Sequence, residues 1–204
     1  MIVPDFRFKG ESSLIAMALA ARYRAYNPPP PPPPSTPVLT GYDGTTSDHN
    51  MNIAPEPNFM TRDGVTPMEV RFNTWSDGDV LEVSWTMTPV WIGDGSTDYL
   101  RAYAGVSTNG GDSWQVLNYS GATWAWTPGQ QPNVASLVGS GAVAISGAAS
   151  VRVRLAFYYQ IGLLFIKSIA DSTNGNAGLG AYLKASRIPA ANVVQAPIGE
   201  LQPF

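Results

Sequence analysis

Tryptophan is the residue type through which this chain could do its most specific chemistry. Trp75, Trp91, Trp124 and Trp126 offer broad aromatic faces. Such faces stack on the apolar side of a pyranose ring. Trp124 and Trp126 stand two apart, so in an extended segment they share one face. The competing assignment, and the commoner use of tryptophan, is burial in a core or an interface.

Acid–base and nucleophilic chemistry have weaker footing. The single histidine, His49, follows Ser47 and Asp48 directly. Near neighbours in sequence are poorly placed to converge on one point as a catalytic triad must, so His49 reads as a loop residue. Asp77 and Asp79 form a carboxylate pair inside Ser-Asp-Gly-Asp, where turn geometry already accounts for both. A hydrolase using two carboxylates would need a pair assembled only by the fold. Asp94–Asp98 and Asp171–Asn174 are rich in oxygen ligands of the kind calcium accepts. Neither has the charge or length of a calcium loop, and both read as turns. Cysteine is absent, which removes thiolate chemistry, disulfides and Cys-ligated metals. No cofactor is expected.

Composition narrows the partners. The net charge is −3, and no basic cluster is long enough to neutralise a run of phosphates, so nucleic acid is not expected as a ligand. Arg22 and Arg24 suit a helix end; Arg152 and Arg154 suit the wet face of a strand. Only 13% of residues are charged, about half the share of an ordinary soluble domain, which implies a surface of Ser, Thr, Asn and Gly. No apolar stretch is long enough to span a membrane, so membrane insertion is not expected. The apolar stretch Ser13–Ala20 is short and preceded by Asp5 and Glu11, against the pattern of a secretory leader.

Three segments must position these residues. Residues 1–27 read as an anchor. Ile2, Val3, Phe6 and Phe8 form an extended apolar arm, followed by a short helix with Ser12 or Ser13 as N-cap. Leu14, Ile15 and Leu19 lie on the apolar face of that helix, which ends before Pro28. Residues 28–37 are a spacer. The unbroken run Pro28–Pro34 has fixed φ and no N–H donors, so it must be a polyproline II rod of roughly 20 Å.

Residues 38–204 read as one all-β domain. Apolar and polar residues alternate from Met68 to Phe72. Leu81, Val83, Trp85 and Met87 fall on one face of Val80–Met87, and Val151, Val153, Leu155 and Phe157 on one face of Val151–Tyr159. Tyr99–Val106, Trp114–Tyr119 and Ile161–Ile169 are further strands, and the small residues between Trp126 and Val151 read as a loop. Half-buried strands separated by Gly, Asp, Asn and Pro indicate an antiparallel jelly-roll β-sandwich.

Ser107-Thr108-Asn109-Gly110-Gly111-Asp112-Ser113-Trp114 resembles the Asp-box hairpin of sialidases, with Ser107, Asn109, Gly111 and Trp114 at its marked positions and Asn109 in place of the Asp. In that family the box is a folding element away from the catalytic site, so the resemblance implies no catalysis. It occurs once, without the repeats of a propeller. The order of strands from Val80 to Ile169 resembles galactose-binding-like and MAM-like jelly rolls, which occur in carbohydrate-binding modules and phage appendages.

The resulting expectation is a non-enzymatic appendage on the virion surface of a bacteriophage, such as a head fibre, decoration or collar protein. Its arm would grip another virion protein (capsid, portal, neck or tail). It would be a homo-oligomer, with a trimer the number such appendages commonly adopt, and the outward domain would meet a host-surface glycan. The alternative is a carbohydrate-binding module of an extracellular bacterial protein.

Overall fold

The computed structural model describes residues 37–47, 49–51, 58–92, 98–118, 120–126, 136–159, 163–166 and 180–204. The expected anchor residues Ile2, Val3, Phe6, Phe8, Leu14, Ile15 and Leu19, the short helix and the polyproline spacer lie outside the described residues.

The described chain is built almost wholly of strands: β1 (Leu39–Gly44), β2 (His49–Met51), β3 (Asn58–Phe59), β4 (Glu69–Phe72), β5 (Val80–Met87), β6 (Pro89–Ile92) and β7 (Asp98–Ser107) come first. They are followed by β8 (Gln115–Leu117), β9 (Ala122–Trp126), β10 (Leu137–Ala144), β11 (Val151–Tyr159), β12 (Leu163–Ile166), β13 (Ala181–Ile188) and β14 (Leu201–Pro203). A single 3-10 turn at Ala190–Asn192 joins the last two.

Two sheets form the sandwich. One has the order β1-β13-β5-β10. The other runs β14-β8-β7-β11-β3, with β4 also on β11 and β9 also on β7. The chain passes from one sheet to the other at most connections, staying within one from β3 to β4 and from β7 through β8 to β9. Its pairings are nested: β7 with β8 and β9, then β5 with β10, β4 with β11, and β1 with β13. A ladder folded back at its middle and rolled into two sheets is a jelly roll. The reversal at its centre is the turn between β7 and β8, the stretch with the Asp-box pattern.

The alternation read from the sequence is what faces the core. Leu81, Val83, Trp85 and Met87 of β5 are buried against Val151, Val153, Leu155 and Phe157 of β11 in one hydrophobic cluster. Each such side chain, fully buried, contributes roughly 1.5–3 kcal/mol. Their partners Glu82, Thr86, Arg152 and Arg154 stay on the wet faces or half-buried.

The segment between Trp126 and Val151 departs from expectation. It holds β10, the edge strand paired with β5 along its whole length, and not only loop. Its sequence, Leu-Val-Gly-Ser-Gly-Ala-Val-Ala, is poor in large residues because the space is already taken. A Cβ on Gly139 would fall on the Ser120 carbonyl oxygen and the Trp85 indole. The apolar strand expected over Ile161–Ile169 is described at Leu163–Ile166 as β12, and a strand that the sequence did not signal comes after it. β13 follows it in the centre of its sheet, with small core residues Ala181 and Ala185 beside Leu183.

A third sheet, β2-β12-β6, is made from three connections: β1 to β3, β11 to β13, and β5 to β7. Those connections leave the same end of the sandwich, because Gly44 pairs with Tyr182, and Met87 with both Ala181 and Leu137. The connection from β4 to β5 and the β7–β8 turn lie at the opposite end.

Candidate functional site

Register separates the four tryptophans. Trp91 sits in β6 opposite Leu164, at the end with the third sheet. Trp124 and Trp126 sit in β9 opposite Leu100 and Asp98, toward that same end. Trp75 lies at the other end, in the connection from β4 to β5, and it is a core residue. It is 7% exposed. Its ring packs edge-on against Phe72 with centroids 5.7 Å apart, its Nε1 donates to the Ile145 carbonyl, and the Arg187 guanidinium covers it at 5.6 Å. A ring closed on every side cannot stack on a sugar, so a glycan platform does not include Trp75.

His49 falls in β2, not in a loop, opposite Ile166. Of the calcium-like segments, residues 94–97 and 171–174 lie outside the described residues.

The carboxylates weighed for catalysis are engaged in holding the fold. Asp77 accepts from the backbone N–H of Gly147 at 2.7 Å. Asp79 accepts from Arg187 Nε at 2.6 Å and from the N–H of Ala190. Arg187 in turn donates to the Thr74 carbonyl and the Ser76 hydroxyl, so one guanidinium ties the Trp75 loop to β13. Asp43 accepts from Arg62 Nη2 and from the N–H of Glu69, each at 2.8 Å. Charge-assisted bonds of this kind are structural ties.

The Asp-box stretch is a self-bonded turn. Ser107 Oγ donates to Asn109 Oδ1 at 2.9 Å, and the N–H of Ser113 donates to the same oxygen at 3.0 Å. The N–H of Gly111 donates to Ser107 Oγ, and Asn109 Nδ2 donates to Ser113 Oγ. The Asn therefore supplies the acceptor an Asp would, plus a donor an Asp lacks. Gly110 and Gly111 take φ of 80° and 102°, which side chains with a Cβ rarely adopt. Trp114 leaves the turn to lie 4.7 Å from the Phe59 ring.

The surface best suited to a ligand is the outer face of the four-stranded sheet. Cross-strand rows place Tyr42, Lys184, Ser84 and Ser140 side by side, and next to them Tyr182, Thr86 and Val138. Tyr42 is 58% exposed, tilted against Tyr182 with centroids 5.9 Å apart, and carries the Lys184 ammonium 6.0 Å from its ring centre. Burial, and then the neighbouring Tyr42, push the Tyr182 phenol above its ordinary value, at which it is already a neutral donor at physiological pH. A shallow groove of about 540 Å³ runs beside Tyr182, lined also by Ser84, Thr86, Val138 and Ser140. Trp85 borders it too, and its indole N–H has no hydrogen-bond partner among the described residues. Aromatic rings flanked by short hydroxyl side chains make a surface that can stack and hydrogen-bond at once. Sequence reasoning passed over these tyrosines because neither β1 nor β13 carries a strong apolar alternation.

No family model matches this chain, and no curated protein matches it. Among solved structures it is similar to "Structure of Eiger TNF from S. frugiperda", at 10% identity and a TM-score of 0.40, over 78% of this chain and 98% of that one.

Proposed function

We propose that this protein is a non-enzymatic appendage of a bacteriophage virion, a head fibre, decoration or collar protein. Residues 1–27 grip another virion protein, Pro28–Pro34 hold the domain off the surface, and the jelly roll of residues 38–204 presents a face to host-surface glycans. The domain belongs in this reading with the galactose-binding-like and MAM-like jelly rolls. The observation that carries the binding part is the outer face of the four-stranded sheet. Its exposed Tyr42, the neutral Tyr182 and the hydroxyls of Ser84, Thr86 and Ser140 offer ring stacking beside hydrogen-bond groups.

The same face would serve a carbohydrate-binding module of an extracellular bacterial protein, and the two readings part at the N-terminal segment. Light scattering after size exclusion, on the full chain and on residues 38–204, separates them. An appendage gives an oligomeric or self-associating full chain and a monomeric fragment. A module gives two monomers, with glycan binding kept by the fragment. A polysaccharide-binding screen with the wild-type chain and Tyr42→Ala tests the face itself. Binding that survives the substitution undiminished removes this face from the proposal.

A further inference from the structure

The opposite face of the sandwich sets two like charges side by side. Arg71 of β4 and Arg152 of β11 are directly paired across the ladder. Side chains so placed have Cβ atoms roughly 5 Å apart, and like charges there destabilise the sheet. On the next row Arg154 stands opposite Glu69. Glu69 accepts from Arg71 Nε at 3.0 Å and Nη2 at 2.7 Å, and from Arg154 Nε at 2.8 Å. Arg62 borders the same groove of about 360 Å³, with Thr66, Pro67, Glu69, Arg71 and Arg154.

Charge balance at this place runs against the molecule. Arg62, Arg71, Arg152 and Arg154 set four guanidiniums against three carboxylates, Asp43, Asp63 and Glu69, in a chain whose net charge is −3. Two donors there lack partners. Arg152 makes no hydrogen bond or ion pair among the described residues, and its guanidinium rests against Gly111 of the Asp-box turn, with Nη1 3.0 Å from where a Cβ would stand. Arg62 Nε is buried without an acceptor among the described residues. Guanidinium donors left over beside a paired set of like charges are what an oxyanion would satisfy.

We propose that the Arg71–Arg152 row and the adjoining groove bind an oxyanion group, a phosphate, sulfate or carboxylate, carried on an anionic surface polysaccharide. This site is distinct from the tyrosine face and stands or falls independently of it. Arg152 supplies free donors, Arg71 its outward edge, and Glu69 limits the affinity by holding two of the guanidiniums.

The test uses the full chain at low ionic strength, where surface charge is least screened. Thermal melting and calorimetry are followed with sodium sulfate, sodium phosphate and sodium glucuronate, each against sodium chloride of equal ionic strength. Dextran sulfate and polygalacturonate are compared with neutral dextran. The expected result is a Tm rise of about 3–6 °C with an oxyanion near tenfold its Kd, beyond that with chloride. Arg152→Gln should abolish this rise and weaken polymer binding at least tenfold. In anion-free buffer the same variant should melt no lower than wild type, because it relieves a repulsion. Glu69→Gln should tighten binding severalfold. Binding of the acidic polymers alone would assign the site to a polymer-borne group; equal response to free ions would assign it to the oxyanion itself. Oxyanions no better than chloride, a response that Arg152→Gln leaves intact, or an Arg152→Gln variant destabilised in anion-free buffer would each overturn the proposal.

Discussion

The Arg154 guanidinium lies 4.6 Å from the centre of the Trp114 ring while its Nε donates to Glu69 at 2.8 Å. It also covers the Phe59 ring at 5.2 Å. One cation thus joins the Asp-box hairpin, β3 and β4 on β11. Removing the ring should delete its own contacts with Arg154 and Phe59: Trp114→Ala is expected to destabilise the domain by about 2 kcal/mol, from one aromatic pair, one cation–π contact and partial burial. Urea unfolding measures it. A loss under about 0.5 kcal/mol would mean that Arg154 and Phe59 hold each other without the tryptophan.

The Asp-box turn also makes a kinetic prediction. It sits at the centre of the nested pairings, so its closure brings β7 against β8 before the longer loops between β5 and β10 or β1 and β13 can close. Asn109→Ala removes the acceptor shared by Ser107 and Ser113 and should cost about 1–2 kcal/mol. Most of that should appear in the folding rate, giving a φ-value of about 0.5 or more. Asn109→Asp keeps the acceptor and should be near neutral. A loss confined to the unfolding rate would place the nucleus elsewhere.

How legible each part was in the sequence follows from what signals a strand. β5 and β11 were readable because large apolar residues alternate with polar ones across half-buried ladders. β10 and β13 were not, because their inward positions include Gly139, Gly141, Ala181 and Ala185; Gly139 makes room for the neighbouring Trp85, and Gly141 for Leu117. A strand whose inward residues are small looks like a loop until its neighbour's size is known. The candidate site shares this obscurity: Tyr42, Tyr182 and Ser84 become one surface only through the register of three strands distant in sequence. Trp75 was visible as a tryptophan, but its burial depends on Phe72, Ile145 and Arg187, which no local pattern brings together.

Gly139 offers the sharpest test of that account. The Ser120 carbonyl oxygen in its way is backbone and cannot swing aside, and the Trp85 indole is 2% exposed in a filled core. Gly139→Ala is expected to cost about 3 kcal/mol or more. Ser140→Ala, one residue on and exposed, should stay within about 0.5 kcal/mol of wild type. Urea unfolding of both variants decides it. A tolerated Gly139→Ala would mean that β10 can shift away from β5, and then the size match does not explain the sequence of β10.

Glu69 makes stability depend on acid. Burial works against its carboxylate, but hydrogen bonds and charge from Arg71 and Arg154 outweigh it and hold its pKa below the ordinary 4.5. Asp63, in an exposed turn, is held low as well, by the N–H groups of Thr66 and Val65 and the Thr66 hydroxyl. A depressed folded-state pKa adds stability that is fully present above the unfolded value and is lost as pH falls through the folded one. Urea midpoints should therefore be flat near neutrality and drop on acidification below pH 4.5. In Glu69→Gln the midpoint at neutral pH should be lower, and the drop on acidification smaller but still present, because Asp63 continues to titrate. An acid slope unchanged by Glu69→Gln would show that the Arg71 and Arg154 pairs add nothing in solution, the usual fate of exposed ion pairs. A reduced slope would show that β4 is held to β11 by charge, beyond its backbone ladder.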